Sequence, residues 1–521
     1  MGRIFTCKEN FLAKHGKTAA KRRETLKLLA QHFGTPFANF YLRLYSLTNF
    51  ERGGEKMSSN KNNTLEGGEF KKAITVFGGV SIVAGIMVGS GIFYLGSYVL
   101  QRTNYDTGTA LMCWVIGGII SLLGALCVSE LGSSRPKAGG LTVYLNEVYH
   151  PIIGYMYGFS QWLIASPGSI AAVAIAIPTA LIDFFPGLTD GKVKAIAIVL
   201  VILFTLYNIL GVKEAAIMAN VTLVAKIIPM VVILVAAIFI GDHMPDMSPV
   251  PVDEAGNTLS FGGGIGVVCF AVLATLWAYE GWSNVANIGE EMKNPKRDLP
   301  LALIIGVAAV ALLYFFFNFA IYRVIPIEEA KTMIENEQIY LGTEVAKRLF
   351  GNAGSILVVV TMLLAMLSSL NGQVLAFARI GYAMAEEGHF FKSQGKLSKR
   401  GVPAISLITQ CVLSCILIMM RSLDQLTTLV VFLGMIGTVL GVAGVLVNRY
   451  RFPELEKPYK VPGGPVVVVI TTLIFVALMI NNFIEDPIMS ILGLIIVPAI
   501  GAGIYIYYGK KEKAEKAAVN Q

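Results

Sequence analysis

From Ile74 to Leu100 the chain carries no charged residue, a stretch longer than the ~20 apolar residues with which a helix crosses the hydrocarbon core of a bilayer. That run, and others like it further along, decide the class of fold. In lipid every backbone N–H and C=O must be satisfied inside the protein, which leaves helices and closed barrels. The apolar runs are continuous rather than alternating, which selects helices. Composition agrees: 55% of residues are hydrophobic and 15% charged, against roughly 25% charged in a soluble domain, and the mean hydropathy is +0.65. The expected fold is an all-α membrane protein.

The net charge of +8 is concentrated at one end, because residues 1–56 hold 11 Lys/Arg against 4 Asp/Glu. The remainder is nearly neutral, so no nucleic-acid partner is implied. Five of the six cysteines (Cys113, Cys127, Cys269, Cys411 and Cys415) fall in apolar runs and read as small buried hydrophobes, not as a disulfide framework. The leader 1–56 joins a basic amphipathic stretch, Lys14 to Gln31, to the aromatic patch "FGTPFANFYLRLY". It lacks the apolar core and small-residue cleavage site of a signal peptide. Met57 opens an ordinary polar tail, 57–73. Two readings of the leader stay open: a non-native extension upstream of a start at Met57, or a helix lying on the membrane surface.

Twelve spans are expected, at about 74–100, 109–132, 151–182, 193–211, 214–241, 262–288, 300–324, 353–380, 403–420, 424–447, 466–482 and 488–508, with ends uncertain by several residues. With the N-terminus placed in the cytoplasm, the cytoplasmic loops and C-terminal tail (509–521) hold 19 Lys/Arg and the outer loops 8. The excess of Lys/Arg on the cytoplasmic side puts both termini inside the cell.

Two spans are interrupted. Span 1 contains Gly89-Ser90-Gly91, where helix propensity is poorest, and span 6 contains Glu280-Gly281 between two tryptophans. These are corresponding positions in two five-helix halves, spans 1–5 and 6–10. Interrupted spans at matched positions of two repeats point to a transporter binding site. An unwound turn leaves N–H and C=O groups whose burial without partners costs several kcal/mol each, and a ligand can satisfy them. The N–H groups of Ser90, Gly91 and Ile92 open the second half-helix, whose dipole favours a carboxylate. The carbonyls near Met87 and Val88 favour an ammonium. A carboxylate end beside an ammonium end suits an α-amino acid. The alternative for Gly85-x-x-x-Gly89 is helix packing, and Trp277, Tyr279 and Trp282 serve either packing or coverage of a substrate.

Two ionisable groups lie at depth. Lys226 falls roughly 18 Å into span 5 at helical rise and is a functional candidate, either as a fixed cation tying helix ends together or as a proton carrier. Ser368 and Ser369 of span 8 are candidate partners, or ordinary interhelical hydrogen-bonding groups. Glu280 is a contact for a substrate ammonium, a proton relay, or a carboxylate that lines a wet vestibule or caps a half-helix. No P-loop, GxSxG or HExxH motif is present, and the five histidines lie in the leader or in loops. No metal, cofactor or enzymatic chemistry is expected.

Five segments carry a family resemblance: "GIMVGSGIF", "SELGSSRPKAGGLTVYLNEVY", "LWAYEGWSNVANIGEEMKNPKRDLPLAL", "SLNGQVLAFARIGYAMAEEGHFF" and "FPELEKPYKVPGGP". Over about residues 70–508 the chain resembles amino acid permeases of the amino acid–polyamine–organocation superfamily, above all the L-type amino acid transporters and their bacterial exchanger relatives. The resemblance implies a five-plus-five inverted repeat (74–241 and 262–447) with two extra helices (466–508), and sodium-independent exchange or uniport by alternating access at the cell membrane. It implies that Ser90 and Gly91 bind the substrate carboxylate, that the carbonyls of Met87, Trp277 and Ala278 bind its amine, and that Trp277 is an aromatic gate. Lys226 would fill the sodium position of related symporters, bridging span 1 to a span-8 serine. Relatives with an acid at the place of Glu280 include ones that accept cationic as well as neutral substrates. The loop "DFFPGLTDGKV" lacks the cysteine with which animal members bind a heavy subunit, so no disulfide-linked partner is expected. The expected activity is exchange of neutral L-amino acids, with cationic ones left open. The rivals are proton-coupled symport and, from another class, a membrane receptor or scaffold that binds amino acids without moving them.

Overall fold

The computed structural model describes residues 70–519, except Ser90 and positions 182–184, 186, 254, 337, 389, 421–422 and 486–490. The leader 1–56 and most of the tail 57–73 thus lie outside the described residues. Among the described residues the regular structure is helical, with two isolated β-bridges, Ile74 to Met292 and Val252 to Thr258.

The first span is two helices. α1 (Val76–Met87) starts where Thr75 caps it, the Thr75 hydroxyl accepting from the Gly78 N–H at 3.2 Å, as capping residues do. It stops at Val88, and α2 (Gly91–Arg102) resumes at an angle of 52°. Asp106 caps α3 (Thr107–Ser134), accepting from the Thr109 N–H at 2.6 Å. After the short α4 (Leu141–Val148), α5 (Pro151–Ser160) opens with a proline whose missing N–H costs a helix start nothing. It passes through a π-helical turn at Gln161–Ala165 into α6 (Ser166–Thr179). α7 (Asp190–Leu210) and α8 (Val212–Ile240) are separated by Gly211 alone.

α9 (Phe261–Tyr279) ends at the second break, and the chain continues as a 3-10 segment, Trp282–Glu291. Then come α10 (Pro295–Val324), the short α11 (Ile327–Glu335) and α12 (Leu341–Phe350), and the long α13 (Asn352–Glu386). α14 (Ala404–Met420), α15 (Leu423–Arg451), α16 (Gly464–Glu485) and α17 (Val497–Val519) complete the order. Nine helices among the described residues are long and apolar enough to cross a membrane, and the bent α1–α2 pair makes ten. The shorter apolar helices Ala404–Met420 and Val497–Tyr508 stand where spans 9 and 12 are expected. Several helices overrun their apolar runs; α13 continues to Glu386 because helical hydrogen bonding does not end where hydrophobicity does.

α10 packs along α1 and α3, and α8 packs along α1 and α13, so the broken first span sits inside a cage of other helices. Outward faces are apolar: Val199, Leu203 and Leu206 of α7 are each more than half exposed, an arrangement suited to lipid contact.

Charges at the helix ends are paired. Arg379 of α13 donates to both oxygens of Glu291 at 2.6 and 3.1 Å, with neither side chain exposed at all. Arg449 of α15 grips Glu130 of α3 at 2.7 and 2.6 Å, and Glu130 also accepts from the Val461 N–H at 2.8 Å. Two-pronged Arg–carboxylate geometry offsets much of the cost of burying charge. Beside the first pair, the Ile74 N–H donates to the Glu291 carbonyl at 3.0 Å and the Lys293 N–H donates to the Ile74 carbonyl at 2.8 Å. The chain entering α1 is thereby stitched to the chain leaving the second break.

Candidate functional site

The two breaks touch. Gly281 has a φ of 101°, in the left-handed region that glycine adopts without strain. A Cβ on it would lie 2.5 Å from Ile86 Cγ2, so only glycine lets the second break approach the end of α1 this closely. On the other side Gly91 faces Ala278, whose Cα lies 3.6 Å from the place a Gly91 Cβ would take.

Lys226 is fully buried, and its Nζ donates to the carbonyls of Ala84, Gly85 and Val88 at 3.3, 3.1 and 2.8 Å. The Ala84 carbonyl also accepts from the Val88 N–H at 2.9 Å, while those of Gly85 and Val88 lie at the end of α1, where helical partners run out. A covalently held ammonium therefore occupies the acceptors that the break creates. The serines of α13 make interhelical hydrogen bonds and do not bond Lys226. Ser368 accepts from the Thr222 hydroxyl at 3.0 Å, and Ser369 donates to the Ile86 carbonyl at 3.0 Å. Lys226 and Ser369 each bind α1, side by side, and the link from α13 to α1 runs through Ser369.

Of the groups expected to meet a carboxylate, Ser90 lies outside the described residues. Gly91 and Ile92 form the first turn of α2, where N–H groups lack intrahelical acceptors; the Ile92 side chain is buried. Of the groups expected to meet an amine, each carbonyl already has a partner. The Tyr314 hydroxyl of α10 lies 2.8 Å from the Met87 carbonyl and 3.1 Å from the Ala278 carbonyl. The Gly89 N–H also donates to Met87, at 2.8 Å, and the Glu280 N–H donates to Trp277, at 3.2 Å. Each carbonyl has two lone pairs, so acceptor capacity remains at Ala278 and Trp277.

Tyr314 joins both breaks with one hydroxyl, and sequence reasoning missed it. The signal was a hydroxyl inside the apolar run "ALLYFFFNFA", since a buried tyrosine O–H seeks an acceptor. Tyr279 is fully buried, with its hydroxyl donating to the Trp114 carbonyl at 2.9 Å and its ring 5.1 Å from that of Tyr314. That places it in packing behind the break. Trp277 is half-buried. Glu280 terminates α9, and its carboxylate faces Gly434 of α15. Among the described residues no group of three or more His, Cys, Asp or Glu side chains is placed to hold a metal.

The arrangement offers a small molecule two unwound turns, a helix N-terminus and a carboxylate within one cage of helices. Comparison with known proteins agrees with that geometry. The sequence profile of the amino acid permease family matches residues 74–502. The serine/threonine exchanger SteT of Bacillus subtilis (strain 168) is 32% identical over 447 residues, 85% of this chain and 98% of that protein. The human b(0,+)-type amino acid transporter 1 is 28% identical over 84% of this chain and 88% of its own length. The human cystine/glutamate transporter is 28% identical over 85% of this chain and 87% of its own. On its matched length, its broken first span and these relatives, the chain belongs to the amino acid permease family, within the amino acid–polyamine–organocation superfamily.

Proposed function

We propose that this permease is a sodium-independent exchanger of neutral and also cationic L-amino acids, working by alternating access between the two sides of the cell membrane. The transport unit is 74–508, with twelve spans arranged as a five-plus-five inverted repeat and two extra helices, and both termini cytoplasmic. The basic leader 1–56 and the tails 57–73 and 509–521 lie outside that unit. No disulfide-linked second subunit is needed, since the loop at 183–193 has no cysteine.

The observation that carries this reading is the Lys226 ammonium on the carbonyls of Ala84, Gly85 and Val88. A fixed cation there leaves no acceptor set for a travelling sodium ion. The α2 N-terminus at Gly91 and Ile92, with Ser90, takes the substrate carboxylate, and the Ala278 and Trp277 carbonyls take its amine. Movement follows from population shift: the bound substrate must favour the occluded arrangement over the open ones.

Purified protein in liposomes preloaded with alanine should show trans-stimulated alanine uptake that is unchanged when choline replaces sodium. A competition panel of the common amino acids then reads the specificity. Uptake that vanishes without sodium overturns the reading, and binding without trans-stimulation marks a receptor. The rival of proton-coupled symport rests on Lys226 or on Glu280, whose carboxylate makes no ion pair among the described residues. Uphill uptake driven by an imposed pH gradient alone would favour it.

Two substitutions probe the site. Tyr314→Phe removes the one hydroxyl shared by both breaks, a bond of about 1 kcal/mol net. Exchange should fall about 5- to 10-fold, with the protein still folded by thermal unfolding; full activity would make the bridge dispensable. Glu280→Gln keeps the shape and removes the charge, so competition by lysine-like substrates should weaken at least about 10-fold relative to alanine-like ones. Unchanged competition by both would take Glu280 out of specificity.

A further inference from the structure

Past the second break the chain is gripped by the loop 135–140, which joins α3 to α4. The N–H groups of two successive loop residues donate to the 3-10 segment Trp282–Glu291: that of Ala138 to Glu290 Oε2 at 3.1 Å, and that of Gly139 to the Asn287 carbonyl at 3.0 Å. A 3-10 helix completes a turn every three residues, so Asn287 and Glu290 share one face and meet both donors. The loop is wedged tightly between this segment and α13. Gly139 and Gly140 have φ of 97° and 51°, backbone that glycine adopts without strain. A Cβ on Gly139 would lie 2.3 Å from the Ala383 Cβ of α13, and one on Gly140 would lie 2.5 Å from Asn287 Oδ1 and 2.9 Å from the Asn287 nitrogen.

The rest of the loop is fastened elsewhere. Arg135 and Lys137 pair with Glu147 of α4 at 2.8 and 2.6 Å. On the 3-10 segment, the Glu291 carboxylate is engaged by Arg379 of α13 and the Glu291 carbonyl by the Ile74 N–H. Of the two bonds from loop to segment, the one from Gly139 runs from backbone to backbone. The one from Ala138 ends on a side chain, and a hydrogen bond to a carboxylate is roughly twice as strong as a neutral one. Ala138 is buried and Glu290 half-buried, so water competes poorly for the donor. Glu290 is therefore the side chain that ties α3 and α4 to the far half of the broken sixth span.

We propose that Glu290 is a positioning residue for transport: its carboxylate clasps the loop 135–140 against the sixth span and so sets how readily the carrier opens to the cytoplasm. This rests on the exchange reading above, which places the loop on the cytoplasmic side. The carboxylate acts on the protein's own backbone, not on substrate. Losing a hydrogen bond to a charged group shifts a two-state equilibrium by about 10-fold or more, here toward the arrangement open inside. Apparent affinity at each face scales with the fraction of carriers open to that face. The ratio of outer to inner half-saturation constants therefore tracks the equilibrium directly, whereas a general weakening of the fold lowers the maximal rate and leaves the ratio alone.

The test is labelled alanine exchange in right-side-out and inside-out membrane vesicles, comparing wild type with Glu290→Ala, Glu290→Gln and Gly140→Ala. In Glu290→Ala the ratio of outer to inner half-saturation constants should rise about 10-fold. Glutamine keeps an oxygen for the Ala138 N–H, so Glu290→Gln should stay within about 3-fold of wild type. That variant also separates the clasp from the charge of Glu290, which lies within electrostatic reach of Lys137 and Glu386. Gly140→Ala pushes the loop off the same segment from the other side; its ratio should move the same way, and it serves if Glu290→Ala does not fold. An unchanged or falling ratio in folded variants overturns the proposal, as does a glutamine variant that behaves like alanine. Absence of trans-stimulated alanine uptake by wild type overturns the exchange reading itself, and this inference with it.

Discussion

Replacing Lys226 by alanine is expected to lower exchange by about 100-fold. The substitution strips the ammonium from three carbonyls, those of Ala84, Gly85 and Val88. A buried acceptor left without its partner costs about 1–3 kcal/mol, so losing even two such bonds reaches about 3 kcal/mol, or roughly two powers of ten at 1.4 kcal/mol each. The effect falls on the unwound turn and not on a ligand directly, since Lys226 reaches the protein's own backbone. Substrate binding, measured by thermal shift or tritiated ligand, should therefore fall less than flux. Lys226→Arg should not rescue, because a planar guanidinium cannot converge on three carbonyls as an ammonium does. Wild-type flux in Lys226→Ala liposomes would remove the lysine from the mechanism, and equal losses of binding and flux would make it a plain substrate contact.

Breaking the Arg379–Glu291 pair is the second large effect. Both side chains are wholly buried, and Arg379 also donates to the Leu375 carbonyl at 2.6 Å. Removing one partner of a buried pair strands the other charge and costs about 3–5 kcal/mol. Arg379→Ala and Glu291→Ala should each lower the unfolding temperature of the detergent-solubilised protein markedly. Glu291→Leu combined with Arg379→Met should be more stable than either single alanine variant, because no lone charge remains. Single variants that unfold like wild type, or a double variant whose loss equals the sum of the singles, would show that the pair does not act as a unit.

What the sequence makes legible follows from the range of the forces involved. The break at Gly89 to Gly91 is readable because glycine weakens a helix locally, wherever the rest of the chain goes. Lys226 is readable because a cation deep in an apolar run needs an explanation in any fold. The acceptors of Lys226 lie far off in sequence, and of the two readings open for Ser368 and Ser369 the structure has interhelical hydrogen bonds, to Thr222 and to the Ile86 carbonyl, a choice decided by side-chain geometry among α1, α8 and α13. Tyr314 was missed for a related reason. Its run is apolar and rich in aromatics, and only the rotation of α10 about its axis turns this one hydroxyl toward both breaks. Of the paired charges at the helix ends, Glu291 with Arg379 and Glu130 with Arg449, only the arginines entered the reading, as part of a count of Lys/Arg on the cytoplasmic side. Nothing local announces that residues so distant along the chain will meet. The 3-10 conformation of Trp282–Glu291 was likewise absorbed into span 6, since hydropathy does not register helix pitch.

The backbone stitch of Ile74 to Glu291 and Lys293 has a mechanical consequence. The front half of the first span and the rear half of the sixth are joined by peptide hydrogen bonds outside the spans themselves, so neither can swing without dragging the other. Two hinges that would otherwise turn separately become one lever, with the Arg379–Glu291 pair as its catch on α13. Any force applied to the chain just ahead of Ile74, by a fused domain or a bound antibody, would be delivered to that catch.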